Sequence, residues 1–342
     1  MTIRSLSRLP PGGRNVARMS LALASVLLAA CGILTAQPAP NESAPSLLAN
    51  VLDRQGMAVR DLTKESFQVR VNGRQARLLE ASYSLAPRRI VVVLDMSGSM
   101  AGGMEHKKWK IAHEALEDLL TESPPDISIA LLTFSDQVHD AFDFSQNRSS
   151  MALWLKEGAD QHGDSRIRGR TALFDAMLAA KKLLGTSRPG DAIYAITDGG
   201  DNSSHISALA TRKLLLESGI RLFVFLFAEP SLFEGTQSGT ESIKEIARAS
   251  GGFVFGVSAH PGGVDFLPSW DGYDYTERTR QTIKLYTRAL NIQVNGFYTL
   301  RFDSPVIAAK ARKVSLDIVD AARKPRKDVA FTYSTMLLPQ SK

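Results

Sequence analysis

The chain of 342 residues has one cysteine, Cys31, so no disulfide can form within it. Its six histidines stand singly at 106, 113, 139, 162, 205 and 260. None belongs to a His-Glu-x-x-His pair or has a close cysteine partner, and nothing points to structural zinc. Gly-x-Gly-x-x-Gly and a Gly-Lys-Ser/Thr ending are both absent, so Gly98, Gly102 and Gly103 do not make a nucleotide cradle. No Gly-x-Ser-x-Gly elbow surrounds Ser97, because Asp95 takes its first position; the chain is not expected to be an enzyme. No acidic residue precedes Cys31, whereas Arg4, Arg8, Arg14 and Arg18 do. Losing those four arginines lowers the formal charge from +6 to +2, too small a surplus to indicate nucleic acid. With 44% apolar and 22% charged residues the remainder has the composition of an ordered globular protein, long enough for two domains.

The four arginines lead into Leu21-Ala-Leu-Ala-Ser-Val-Leu-Leu-Ala-Ala30, too short to span a bilayer comfortably but suited to the core of a signal peptide. Export is therefore expected. The segment closes on Leu28-Ala-Ala-Cys31-Gly32, which resembles the lipobox of bacterial lipoproteins. That resemblance implies a Cys31 diacylated through its thiol at the mature N-terminus, hence a membrane-anchored lipoprotein of the cell envelope, facing the periplasm or the surface. The alternative is an ordinary signal peptide cut near Ala36. Residues 1–31 are thus set apart, and 32–45, rich in Pro, Ala, Ser and Asn, follow as a flexible tether.

Residues 46–84 carry a β pattern. Leu47 to Leu52 is a short apolar run, and Phe67-Gln-Val-Arg-Val71 alternates before Asn72-Gly73, a strong hairpin signal leading into Arg74 to Ser84. Similar segments return within 292–337: Gly296 to Phe302, Lys313 to Val319 and Val329 to Tyr333. One β-sandwich shared by the two flanks and split by an insertion would give both sets partners; two separate β appendages is the other reading.

Between the flanks strand and helix patterns alternate. Helices are expected over Lys107 to Leu120, Arg148 to Gly158, Thr171 to Leu184, Ile206 to Ser218, Thr240 to Ser250 and Glu277 to Leu290. Strands fall at Ile90 to Leu94, Asp191 to Thr197, Arg221 to Phe227 and Phe253 to Val257, with Asp126 to Phe144 as a strand, turn and antiparallel strand. This order predicts an α/β fold with a doubly wound, mostly parallel sheet. Ile90-Val-Val-Val-Leu94 has no polar alternation, as in a strand covered on both faces, and stops at Asp95-Met-Ser97-Gly-Ser99. Alone, such a turn reads first as a helix cap. Two further stretches, Arg168-Gly-Arg-Thr171 and Ala192 to Asp198, would bring Thr171 and Asp198 to the same sheet edge, where open α/β sheets hold ligands.

The ordered set Asp95, Ser97, Ser99, Thr171 and Asp198 resembles the metal-ion-dependent adhesion site of von Willebrand factor type A domains, and the likeness covers roughly 88–291. With its flanks and anchor the chain also resembles, less specifically, bacterial secreted proteins related to that family. The resemblance implies a divalent cation, Mg²⁺ first with Mn²⁺ or Ca²⁺ as alternatives. It also implies an acidic residue of a protein partner captured on the ion. Hydroxyls and water-bridged carboxylates leave coordination positions open on such a cation, so Ser97, Ser99 and Thr171 are expected to bind directly, and Asp95 and Asp198 through waters. Asp201 and Asn202 either support the site or form a turn. The stretch 258–275, with Trp270, Tyr273 and Tyr275, either shapes ligand choice or pads the domain. The expected function is that of an exported binding protein; an assembly factor serving an ATPase or envelope complex is the alternative, and the side of the membrane on which the protein sits separates the two.

Overall fold

The computed structural model describes residues 45–85, 88–101, 107–157, 159–160, 163–228, 237–258, 277–303 and 311–337. Cys31, Trp270, Tyr273 and Tyr275 lie outside the described residues. Among those described, no helix is long and apolar enough to cross a membrane.

The chain enters through β1 (Ser46–Asp53) and the hairpin β2 (Phe67–Val71) and β3 (Arg74–Ser84). The turn sits at Asn72 and Gly73, with φ of 50° and 79°, left-handed values that asparagine and glycine tolerate best. The alternating unit follows: β4 (Arg88–Asp95), α1 (Lys107–Glu122), β5 (Ile127–Phe134), β6 (Val138–Phe142) and α2 (Arg148–Glu157). A two-residue pair, β7 (Ala159–Asp160) and β8 (Gly163–Asp164), comes next. After it run α3 (Leu173–Leu184), β9 (Ala192–Thr197), α4 (Ala208–Ser218), β10 (Arg221–Ala228), α5 (Gln237–Ser250), β11 (Val254–Ser258) and α6 (Glu277–Asn295). The chain returns through β12 (Phe297–Asp303), β13 (Arg312–Ile318), β14 (Val329–Tyr333) and β15 (Met336–Leu337).

The inner sheet has the order β11-β10-β9-β4-β5-β6, parallel throughout except for β6. Helices cover both faces. Ile90, Val92 and Leu94 point into a core with Trp109, Leu116, Met151, Tyr286 and Leu290, while Val91 and Val93 point into a second with Leu173, Met177, Leu215 and Ile246. An unbroken apolar run in β4 is the sequence consequence of having no solvent face. Each fully buried aliphatic side chain of this kind contributes about 1.5–3 kcal/mol.

The flanks do not form the expected sandwich of two stacked sheets. They make one seven-stranded antiparallel sheet, β14-β1-β12-β3-β2-β13-β15, in which strands from the two ends of the chain interleave. The sheet curls around a single core of Leu47, Val51, Phe67, Val69, Tyr298, Leu300, Phe302, Val314 and Leu316. A register shift between Arg301 and Phe302 against β3 supplies a bend. Alternating patterns specify an inner face but not whether one curled sheet or two flat ones enclose it.

α6 runs on to Asn295, past the expected end at Leu290. Val294 is buried in the core beside β4, and Asn291 accepts the Ser123 hydroxyl at 2.9 Å, so burial and a polar partner carry the helix past its last obvious apolar residue. The junction with the curled sheet lies at the starting ends of β4, β9 and β10. There Arg221 donates to Asn50 Oδ1 at 2.9 Å and to the Gln293 carbonyl at 2.8 Å, and Asn50 Nδ2 donates to the carbonyls of Gln293 and Gly296 at 2.8 and 2.7 Å. The opposite ends of the same strands are left to build a site.

Candidate functional site

β4 ends at Asp95, whose side chain is fully buried. Its Oδ1 accepts the Ser97 N–H at 2.9 Å and its Oδ2 the Thr197 hydroxyl at 2.6 Å, so the carboxylate clamps its own turn to the end of β9. Burial first, and the nearby Asp198 charge second, push its pKa up to about 7, against the hydrogen bonds from Ser97 and Thr197. Ser97 is buried and Ser99 exposed, with their hydroxyl oxygens 3.1 Å apart.

The loop carrying Thr171 is stitched to this turn through backbone. Gly98 N–H donates to the Gly169 carbonyl at 3.1 Å and Arg168 N–H to the Met96 carbonyl at 2.9 Å. Gly169 has φ of +88°, and a Cβ there would press on the Ser135 hydroxyl at 3.2 Å, so a side chain at this position meets both strain and crowding. Thr171 is buried, and its carbonyl accepts the N–H groups of Asn202 and Ser203, each at 3.0 Å.

Asp201 and Asn202 prove more informative than a turn would be. Asn202 Oδ1 accepts the Thr171 N–H at 3.0 Å; Asp201 Oδ1 accepts the Leu173 N–H at 2.9 Å, and Ser204 Oγ accepts those of Phe174 and Asp175 at 3.0 and 3.1 Å. The α3 N-terminus has no side-chain cap of its own at Ala172, so the loop after β9 caps it from outside and fixes Thr171 at the same time. Sequence spacing gave no signal for this, because both partners are some thirty residues away.

Asp198 stands at the rim with its side chain 11% exposed, and Lys108, its side chain 2% exposed, donates from Nζ to Asp198 Oδ2 at 3.0 Å. Lys108 was missed by sequence reasoning; the only available signal was a lysine on the apolar face of an amphipathic helix, beside Trp109, Ile111 and Ala112. Thr197 was missed as well, being the last residue of a strand otherwise read for its apolar pattern.

Beside the site, His139 Nε2 lies 2.6 Å from Ser135 Oγ and 3.6 Å from Asp136 Oδ1. Both contacts use one ring nitrogen, so Asp136 cannot orient the imidazole through its other nitrogen as a hydrolytic triad requires.

As ligands the five residues would offer hard oxygens only, two carboxylates and the hydroxyls of Ser97, Ser99 and Thr171. Among the described residues no three His, Cys, Asp or Glu side chains gather as a metal-binding group. All-oxygen ligation of that kind is the chemistry of a hard divalent cation, whereas soft transition metals favour thiolate and imidazole.

No curated protein matches the chain. Similar solved structures include an aerotolerance-related membrane protein from Bacteroides fragilis, 19% identical over 60% of this chain and 98% of that one, with a TM-score of 0.40. They include BatB from Bacteroides thetaiotaomicron, 17% identical over 60% and 98%, TM-score 0.39. A von Willebrand factor type A protein from Catenulispora acidiphila is 10% identical over 88% and 75%, TM-score 0.43. Residues 90–200, which span the turn at Asp95, the loop of Thr171 and the strand end at Asp198, match the family profile of the von Willebrand factor type A domain.

Proposed function

We propose that the chain is an exported, lipid-anchored binding protein whose doubly wound domain takes a divalent cation, Mg²⁺ in the first instance, at Asp95, Ser97, Ser99, Thr171 and Asp198. On this reading it uses the ion to hold an acidic residue of a protein partner and carries out no catalysis of its own. The bound ion supplies Lewis acidity toward an outside carboxylate. The protein's part is positioning. Asp95 keeps the serine turn in place through Ser97 N–H, and Asn202 holds Thr171 against that turn. Asp198 at the rim and the exposed Ser99 are the positions from which a partner would approach.

The observation that carries the reading is the backbone stitching of the Ser97–Ser99 turn to the Thr171 loop, Gly98 to Gly169 and Arg168 to Met96. Helix capping alone would not need it. The test is titration of Mg²⁺ or Mn²⁺ into the full chain by calorimetry, with thermal unfolding in parallel. Saturable binding at one site, with a melting point that rises with ion and falls back with EDTA, is expected. Absence of both overturns the reading.

Lipid anchoring makes its own prediction. Two or three acyl chains at Cys31 give stable membrane attachment where one gives only transient contact. Cys31→Ser should move the protein from the membrane pellet to the soluble fraction and remove all labelled fatty acid. Unchanged fractionation, with no label on the parent, rules the anchor out.

A further inference from the structure

The least expected group at the site is Lys108. Lysine is almost never fully buried unless it is paired. Here the side chain is 2% exposed and its ammonium lies 3.0 Å from Asp198 Oδ2, while the other oxygen of Asp198 faces the Gly200 N–H at 3.4 Å. Both oxygens of the rim carboxylate are thus turned toward donors of the protein itself. Each oxygen of Asp95 likewise accepts from a donor of the protein, the Ser97 N–H and the Thr197 hydroxyl. Lys108 thus sets a positive charge beside the carboxylates of Asp198 and Asp95, which would otherwise repel each other at a buried position.

We propose that Lys108 is the resident counter-ion of this site and competes with the divalent cation for Asp198. The proposal rests on the cation-binding reading given above. An incoming ion gains Asp198 only by displacing the ammonium or by lying close to a like charge, and either lowers its affinity. In exchange, the site without an ion keeps its shape, because Lys108 holds the loop after β9 against the start of α1. Once an ion is present the site carries a net positive charge to which Lys108 contributes, and that surplus favours an anionic partner over an empty site. Cation and partner carboxylate should therefore bind more tightly together than either does alone, with Lys108 setting the size of the coupling.

The opposite role is a positioning one, in which Lys108 merely aims Asp198 at the ion. The two roles predict opposite signs. Mn²⁺ is titrated by calorimetry into the full parent chain, Lys108→Met and Lys108→Gln. Methionine removes both the charge and the hydrogen bond; glutamine removes the charge but can still donate to Asp198. If Lys108 competes, both variants bind Mn²⁺ about tenfold or more tightly than the parent, a 1.4 kcal/mol effect per factor of ten. Both should also melt lower than the parent without ion and gain more from its addition. If Lys108 only positions Asp198, methionine weakens binding and glutamine restores it. That result, or equal affinity in all three, overturns the proposal and leaves the cation site standing. No Mn²⁺ binding to any of the three removes the cation site and the proposal with it. Should Lys108→Met fail to fold, Lys108→Gln decides the sign alone.

Discussion

Asp95→Asn is expected to abolish divalent-ion binding while leaving the cation-free protein as stable as the parent or more so, whereas Asp95→Ala is expected to lose both ion and stability. The difference follows from what Asp95 does in each state. Its carboxylate is fully enclosed, near Asp198, and burial and that neighbour together disfavour its charged form. Without an ion the charge is a liability, held only by the Ser97 N–H and the Thr197 hydroxyl. Asparagine keeps an acceptor for Ser97 and presents an amide to the Thr197 oxygen, so the two clamps survive without the charge. Unfolding free energy should be unchanged or rise by up to about 2 kcal/mol. Alanine leaves a buried N–H and a buried hydroxyl without that partner and should cost about 2–4 kcal/mol. In both variants calorimetry should detect no Mg²⁺ or Mn²⁺ binding. If Asp95→Asn binds either ion as the parent does, Asp95 is a structural clamp and no part of a cation site.

What could be read from the sequence here, and what could not, divides along a physical line. β4 was legible because a strand with no solvent face must be apolar at every position, and Ile90 to Leu94 leave no other reading. Asp95, Ser97, Ser99, Thr171 and Asp198 could be singled out because each sits at or beside a strand or helix boundary, where backbone periodicity stops and a polar side chain needs a reason to be there. Lys108 was hidden because it lies on the apolar face of α1, where pattern reading assigns a face and asks nothing more, and Thr197 because, as the last residue of β9, it was read with the strand and not with the turn beside it. Asp201 and Asn202 were legible as turn formers but not as the cap of a helix whose own N-cap position is Ala172, since a cap supplied from another loop has no fixed spacing. The flanks show a different limit. Alternation in Phe67 to Val71 and Val314 to Ile318 marks an inner face, yet the order in which β1, β12, β3, β2 and β13 pair is decided by long-range closure around one core. The continuation of α6 was missed because Asn291, Gln293 and Asn295 break the apolar stripe, and the partners of Asn291 and Gln293, Ser123 and Arg221 among them, come from elsewhere in the chain.

Those partners carry the second large effect. Arg221→Ala is expected to cost about 3–5 kcal/mol of stability and to leave cation affinity within about threefold of the parent. The Arg221 side chain is enclosed, with no ion pair to a carboxylate among the described contacts. It donates to Asn50 Oδ1 and the Gln293 carbonyl, and more distantly to the carbonyls of Gly190 and Val294 at 3.3 and 3.5 Å. Its guanidinium also lies over the Phe297 ring at 4.8 Å and near Phe223 at 5.3 Å. Burial, and then the neighbouring Arg88 charge, lower its pKa to about 9, with Asp191 opposing, so the group remains charged at neutral pH. Removing it takes the guanidinium donor from Asn50 Oδ1 and one donor from the Gln293 carbonyl, which keeps Asn50 Nδ2, at the point where the curled sheet meets the starts of the parallel strands. Lysine should not rescue the variant, because a single ammonium cannot reproduce a planar fork spread over several acceptors. Cation affinity should hold because Arg221 begins β10, paired with Ala192 at the start of β9, whereas Asp95 and Thr197 lie at the far ends of β4 and β9. Urea unfolding and Mn²⁺ calorimetry on Arg221→Ala and Arg221→Lys test both halves. A stability loss under about 1 kcal/mol would mean that the carbonyls find other donors. A cation affinity that falls more than tenfold would mean that the junction and the site are one mechanical unit, with α6 and the parallel strands transmitting strain from one sheet edge to the other.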